Sequence, residues 1–416
     1  VASRPLSLSA YRALSRRAAP VLPHDLPERP PGELVWIHLG AAEDHAAFAD
    51  LAHRLIGQRP GLSVLMTGAS GVLGRVPVGQ GSGHLITAEP PDEHPDAVRF
   101  AMDHWAPDVL IWVWGGLRPN LVDEAAQRGV VLHLLSASPK GFDRPRDRWV
   151  PDLTRYVLRH FSQVTARDNE AVPTLVRLGV SARTIPIQPA LQPSSRLLPA
   201  VGMDIDELTT HLVGRPTWLA ANADPAEWPD IVTAHRQVLQ SAHRLLLILH
   251  LSDPVLLPEL CRMLEDQDLT FAVWGDGSWP EDATQVLIAD IPQELGLWLR
   301  IATITFLGGS LHPAGGGQDP LPAALVGTAI LYGPNVRAHH RAYARLTRAK
   351  AARLVEDGPA LARAVSDLVA PEKAALMAHA GWDVVTQDAQ IVDSIIALIQ
   401  DSLDDQAAHH ARRDRP

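Results

Sequence analysis

Short apolar runs that alternate with amphipathic helical patterns constrain this chain more than any other feature. Leu34 to Leu39, Leu62 to Thr67, Val109 to Val113 and Val130 to Leu135 read as strands covered on both faces, with helical patterns over Ala46 to Ile56 and Asn120 to Gln127. The alternation resumes further along. Trp218 to Ala221, Arg244 to His250, Thr270 to Trp274, Val286 to Ala289, Ile304 to Leu307 and Ala329 to Tyr332 read as strands, separated by helices at Asp230 to Ala242, Pro258 to Glu265, Ile291 to Ile301 and Pro322 to Val326. A crossover helix returns the chain to the same end of a sheet, so the strands must run parallel. With 416 residues, the chain can bury two such cores, and the proline-rich stretch IPIQPALQPSSRLLPAVG is the expected linker. Ligands of these sheets lie at strand carboxyl ends, which places the expected site in a cleft between two units.

One stretch specifies the ligand class. The apolar run Ile301 to Leu307 ends in Gly308, Gly309 and Ser310, a second cluster follows at Gly315, Gly316 and Gly317, and a helical pattern starts near Leu321. Glycines after a strand let a phosphorylated ligand approach bare backbone N–H groups, and a following helix N-terminus adds positive potential. The ligand expected from that arrangement is a nucleotide. A tight turn that only reverses the chain fits the glycines equally well.

Composition narrows the function class. A formal charge of -10 and a pI near 6.0 argue against general nucleic-acid binding, while leaving room for a local anion site. Cys261 is the single cysteine, so the chain has no internal disulfide; its PELCRML context reads as packing in a helix. Nineteen histidines include no HExxH spacing, and no metal site is expected.

The stretch ELGLWLRIATITFLGGSL, followed by glycines, PAAL and YGPNV, resembles the donor-binding half of the bacterial 3-deoxy-D-manno-octulosonic acid (Kdo) transferases. VWIH at Val35, HWAPDVL at His104, RPNLVDEAAQRGV at Arg118, ARDNEAVPTLVRLGV at Ala166 and RPTWLAANADP at Arg215 agree with the family in order. The resemblance implies a GT-B glycosyltransferase, with two Rossmann-like domains facing across a cleft, that works without bound metal or other cofactor. It implies transfer of Kdo from CMP-Kdo to a lipid A precursor. The expected division is a basic arm over 1–34, an acceptor domain over 35–190, a linker over 191–206, a donor domain over 207–402 and a disordered tail over 403–416.

The resemblance also carries site residues. The family's catalytic Glu falls on Asp44 without gaps, with Glu43 beside it; either is a candidate general base, and either also suits a helix N-terminus. Ser252 stands where the family has a phosphate-binding Arg. Asp290 and Glu294 lie in the family's Gly-Asp-x-x-Gly-Glu-Leu segment. Gly308, Gly309, Ser310, Gly315, Gly316, Gly317 and Gln318 form the implied donor cradle, Gln318 taking a family Asn position. Leu321 replaces, or a deletion removes, the ribose-binding Glu. In the family's Val-Glu-x-Asp-Leu-Trp-Pro-Asn stretch, Trp114 replaces the carboxylate and Arg118 takes the Trp position. Asn120 and Asn335 suit helix caps as well as ligand contacts, and His339 and His340 read as a solvated face.

Residues 1–34 hold Arg4, Arg12, Arg16 and Arg17 among short apolar pieces, with neither a span of ~20 apolar residues nor a signal-peptide pattern. Ser7 to Ala19 reads either as an amphipathic helix that touches an anionic membrane surface or as a solvated arm. The expected location is the cytoplasm, with peripheral contact at the inner membrane's cytoplasmic face. Two function classes remain: a Kdo-transferase-like enzyme, and a catalytically degenerate homologue that binds a nucleotide or regulates a partner.

Overall fold

A computed structural model of the protein describes residues 5–22, 26–40, 45–68, 84–114, 116–142, 151–192 and 197–413. The chain divides into two compact units, one of residues 1–194 with 388–416 and the other of residues 195–387. Unit 1 holds a six-stranded, wholly parallel sheet in the order β3-β2-β1-β4-β5-β6. The strands are β1 (Leu34–Leu39), β2 (Ser63–Thr67), β3 (His84–Ala88), β4 (Val109–Val113), β5 (Val131–Ala137) and β6 (Gln163–Ala166). Every residue of β1, β2 and β4 is buried, as expected of strands covered by helices on both faces.

Unit 2 holds seven parallel strands in the order β13-β12-β11-β7-β8-β10-β9. These are β7 (Thr217–Ala221), β8 (Leu246–His250), β9 (Phe271–Val273), β10 (Val286–Ala289), β11 (Ile304–Leu307), β12 (Ala329–Tyr332) and β13 (Ala352–Leu354). The chain turns from one half of the sheet to the other between β1 and β4 in unit 1 and between β7 and β11 in unit 2, where β9 and β10 are also exchanged at the far edge. There the crossovers leave in opposite directions, opening a crevice at the strand carboxyl ends. Both units are Rossmann-like, as the alternating pattern requires.

Three expected boundaries need correction. The segment 1–34 is not a separate arm. Its helix Leu6–Ser15 buries Leu8 in the core of unit 1, and the Arg12 guanidinium pairs at 2.6 Å with Asp123, whose side chain is 1% exposed. Tyr156 Oη donates to the other Asp123 oxygen at 2.7 Å, so the carboxylate is held from two sides. Arg16 and Arg17 remain exposed.

The linker is shorter than 191–206, because Leu191 joins the core of unit 1 and Gly202–His211 is a helix of unit 2. Nor does the second domain end at residue 402 or the helix give way to a disordered tail there. One helix runs Pro371–Arg413 and changes unit along its length. Val384 and Val385 lie in the core of unit 2, whereas Val392, Ile395, Ile396, Ile399 and Leu403 form a stripe buried in the core of unit 1. Their three-to-four-residue spacing puts them on one helix face. Arg59 fixes the same region, pairing with Glu33 at 2.5 and 2.7 Å and with Asp404 at 2.8 Å. Among the described residues, no helix is long and apolar enough to cross a membrane.

Two core histidines show how polar rings are accommodated. The Trp218 indole donates to His235 Nδ1 at 3.1 Å, so His235 carries its proton on Nε2 and donates to the Gln285 carbonyl at 3.0 Å. His133 Nε2 lies 2.9 Å from Ser402 Oγ on the long helix. Burial pushes both imidazoles down from 6.5 to about 4.

Replacing fully buried Ile399 with Ala is expected to cost unit 1 about 2–5 kcal/mol in denaturant unfolding; a loss within experimental error would show that 388–413 is not part of its core. The histidines predict acid lability. Between pH 6.5 and about 4 the unfolded rings bind protons that the folded rings refuse, so stability falls as pH drops through that window. A urea midpoint that stays flat across it, after carboxylate titration is accounted for, would contradict this assignment.

Candidate functional site

At the β7–β11 crevice of unit 2, the glycine loop is organised by a side chain from elsewhere in the unit. Glu227 is 0% exposed, and its carboxylate accepts the N–H groups of Gly309 at 2.7 Å, Ser310 at 2.8 Å and Leu311 at 2.7 Å. It also accepts the Asp224 N–H at 2.9 Å, closing a capping box. The amides of Gly309 and Ser310, expected to face a phosphate, therefore hold an internal anion. This corrects their assignment as donor ligands. The loop gathers its amides around an anion that belongs to the chain itself.

The other loop glycines mainly allow backbone to pass backbone. A Cβ on Gly308 would lie 2.4 Å from Ala223 Cα, and one on Gly315 would lie 2.2 Å from the Gly309 carbonyl oxygen. Gly317 has φ +80° and meets Val336, whereas Gly316 has φ +82° and open space around its Cβ direction. Ser310 is buried, with Oγ donating to the Leu307 carbonyl and accepting the Gly333 N–H. Asn335 donates to the carbonyls of Ser310 and Leu311, a structural contact.

Gln318 bridges the crevice itself. Its Nε2 donates to the Ala221 carbonyl, the last of β7, at 2.7 Å and to the Gly308 carbonyl, just past the end of β11, at 2.8 Å. Its Oε1 accepts from Asn222 Nδ2 at 2.9 Å, and Asn222 Oδ1 meets His250 Nδ1 at 2.7 Å. The direction of each bond follows from the first: two carbonyls demand the Gln318 amide nitrogen, and His250 must then donate from Nδ1. Burial pushes His250 down to about 4, so the ring is neutral.

The remaining expected donor residues lie at the same sheet end without joining this network. Asp290, after β10, accepts the Gly275 N–H at 2.7 Å, and Glu294 accepts the Trp274 indole N–H at 2.8 Å. Trp274 packs edge-on against Trp279 and Trp298. Ser252, after β8, is exposed. The structure thus unites Gly308, Gly309, Ser310, Gly315, Gly317 and Gln318, and leaves Ser252, Asp290 and Glu294 around them.

In unit 1, Glu43 and Asp44 lie outside the described residues. The described part of the β1–β4 crevice is aromatic. His38, 5% exposed, packs at a tilt against Trp112 with ring centres 4.2 Å apart and meets Thr67 Oγ1 through Nδ1 at 2.9 Å. Burial, and then the Arg118 charge, push its pKa down to about 3. Trp114 is half-buried beside the strand end, its backbone N–H bonded to Leu135. Glu93, which the sequence did not single out, is half-buried against the helix Pro119–Gln127 and accepts the N–H groups of Asn120 at 3.0 Å and Leu121 at 3.3 Å. Burial raises its pKa, against the pull of those amides and of Arg118.

Residues 13–191 match the family model described as 3-deoxy-D-manno-octulosonic-acid transferase (kdotransferase). Curated Kdo transferases align across both units: the Haemophilus influenzae protein is 23% identical over 383 residues, covering 90% of this chain and 88% of its own. That of Rickettsia bellii is 21% identical over 349 residues, covering 81% and 80%. Along most of its length the chain is similar to curated Kdo transferases. The Bordetella pertussis Kdo transferase is 26% identical over 313 residues, covering 72% of this chain and 71% of its own. Among solved structures, the C-terminal CMP-Kdo binding domain of WaaA from Acinetobacter baumannii is 21% identical, with TM-score 0.37, covering 48% of this chain and 96% of that one. The similarity to Kdo transferases spans both reversal points, so unit 1 and unit 2 are retained together.

Glu227→Ala would leave buried amides without an acceptor, and a loss of about 3 kcal/mol or more is expected in the unfolding of unit 2. Glu227→Gln should be intermediate, since one amide oxygen still accepts. Equal stability of wild type and Glu227→Ala would mean that the loop stands without its internal anion.

Proposed function

We propose that this chain is a Kdo transferase, moving Kdo from CMP-Kdo to a lipid A precursor in lipopolysaccharide core assembly. What carries the reading is the ordered similarity to Kdo transferases along 90% of the chain in the Haemophilus influenzae comparison. In the reaction, the acceptor hydroxyl oxygen attacks the anomeric carbon of Kdo. The bond from that carbon to the phosphate oxygen breaks, CMP leaves with the electron pair, and a base takes the hydroxyl proton. Asp44 or Glu43 is the proposed base. Unit 2 takes the nucleotide at the β7–β11 crevice, where Gly316 is the loop position with open space, and Asp290 and Glu294 flank it. No metal or resident cofactor takes part. We place the enzyme in the cytoplasm, with Arg16 and Arg17 available to an anionic inner-membrane surface.

One observation favours a second reading, a non-catalytic regulatory homologue that takes no nucleotide at this crevice. Glu227 and Gln318 already satisfy the amides and carbonyls that a ligand at the crevice would be expected to use. Calorimetric titration with CMP, CMP-Kdo and UDP separates the two. The transferase reading expects binding of both cytidine compounds with UDP at least ~10-fold weaker, a difference of about 1.4 kcal/mol. No heat from any of the three at millimolar concentration would leave the non-catalytic reading standing.

A further inference from the structure

The segment after β12 is basic without interruption. It carries Arg337, Arg341, Arg345, Arg348, Lys350 and Arg353 and no aspartate or glutamate, in a chain whose formal charge is -10. Packing fixes which way its helix, His340–Arg348, faces. Tyr343 and Leu346, the large apolar side chains of that helix, are 1% and 0% exposed in the core of unit 2, and Tyr343 Oη donates to the Gln318 carbonyl at 2.9 Å. Residues 341, 344 and 348 recur at helical spacing on the opposite side. Arg337, Arg341, Ala344, Arg348 and Lys350 are all exposed.

Two cations of the segment serve the fold: Arg345 donates to the Val384 carbonyl at 3.1 Å, and Arg353 pairs with Asp367 at 3.2 Å. The side chains of Arg337, Arg348 and Lys350 have no partner among the described residues. Lys350 adds a second observation. It ends the helix with φ +60°, its N–H bonded to the Thr347 carbonyl and the next N–H to that of Leu346, where glycine is the usual residue. A side chain strains that backbone. The helix dipole favours a cation there, but Arg345 and Arg348 already supply the last turn, so folding does not account for the lysine.

The kind of partner follows from what the face lacks. No large apolar residue is exposed between Arg337 and Lys350, so a protein would find none of the buried anchors that dominate protein interfaces. The cations spread along about 16 Å of chain at helical rise, which suits a plane of phosphates better than a single ion. We propose that this face of unit 2 docks on an anionic lipid surface through Arg337, Arg348 and Lys350. The choice of lipid rests on the transferase reading, whose acceptor is a lipid; the basic face itself does not. The Ala338 N–H meets the Gly316 carbonyl at 3.4 Å, so the segment that touches the headgroups also borders the crevice loop and holds the β7–β11 crevice at a set height above them.

The test is sedimentation of the full chain with phosphatidylcholine vesicles that do or do not contain phosphatidylglycerol. Binding is expected to the anionic vesicles alone, and to weaken with salt. Arg337→Gln, Arg348→Gln and Lys350→Gln should each weaken it ~5-fold, and the triple variant ~100-fold. Lys350→Gly separates binding from folding: it should raise the denaturation midpoint while weakening vesicle binding, whereas a lysine with only a structural role would leave binding unchanged. Equal binding to neutral vesicles, full affinity in the triple variant, or loss of binding in an Arg16→Gln, Arg17→Gln variant with the triple variant unaffected would each overturn the proposal. Binding to a DNA duplex or to polyglutamate without binding to anionic vesicles would also overturn it and assign the face to another polyanion. Calorimetric CMP binding by the Arg348→Gln, Lys350→Gln variant should match the wild type, so a failed donor site is distinguishable from a failed docking face.

Discussion

A fully buried carboxylate tends to lose more in desolvation than it gains, unless several donors converge on it. Glu227 meets that condition through four N–H groups, three from the segment after β11 and one from its own capping box. The consequence is mechanical. Glu227 ties the turn after β7 to the loop after β11, the two strands whose divergence opens the crevice. Ser310 is then placed to receive Gly333, Gln318 to bridge Ala221 and Gly308, and Asn335 to close on Ser310. Removing the carboxylate would leave the rest of this loop without its reference point.

The sheet interiors were legible in the sequence because parallel strands covered on both faces must be continuously apolar, and LVWIHL, LLILH and ITFL are. The strands missed were β3, β6 and β13, each at or near an edge, where HLITA, QVTA and ARL carry too little apolar content to stand out. The long C-terminal helix runs on to Arg413, past residue 402, where a disordered tail is expected from the sequence. Its later residues, DDQAAHHARR, are almost wholly polar or small, so composition alone suggests a tail. That its apolar stripe belongs to unit 1 is a non-local fact that no window of sequence contains.

The candidate site was legible in its glycines and not in their purpose. A strand followed by Gly308, Gly309 and Ser310 marks amides gathered for an anion. Which anion depends on Glu227, separated by 82 residues from Gly309. The nearest sequence signal was local: Asp224 with Glu227 three residues later is a capping-box pattern, which indicates a helix start but not the second task of its acid. The resemblance implies a donor contact for Gln318, whereas its amide nitrogen serves the carbonyls at two strand ends.

The two units carry a histidine in matching circumstances with opposite polarity. His250 ends β8, and Asn222 obliges it to donate from Nδ1 into the chain's own network, leaving Nε2 as an acceptor. His38, next to last in β1, is obliged by Thr67 to accept at Nδ1, leaving an N–H at Nε2. Burial keeps both rings neutral near pH 7, so neither tautomer is lost to protonation. In both cases the ring's chemistry is set by a neighbour that can hydrogen-bond in only one direction: an amide already committed to carbonyls in unit 2, and an indole that cannot accept in unit 1. The same fold can therefore present a donor at one strand end and an acceptor at the other without changing the residue that does so.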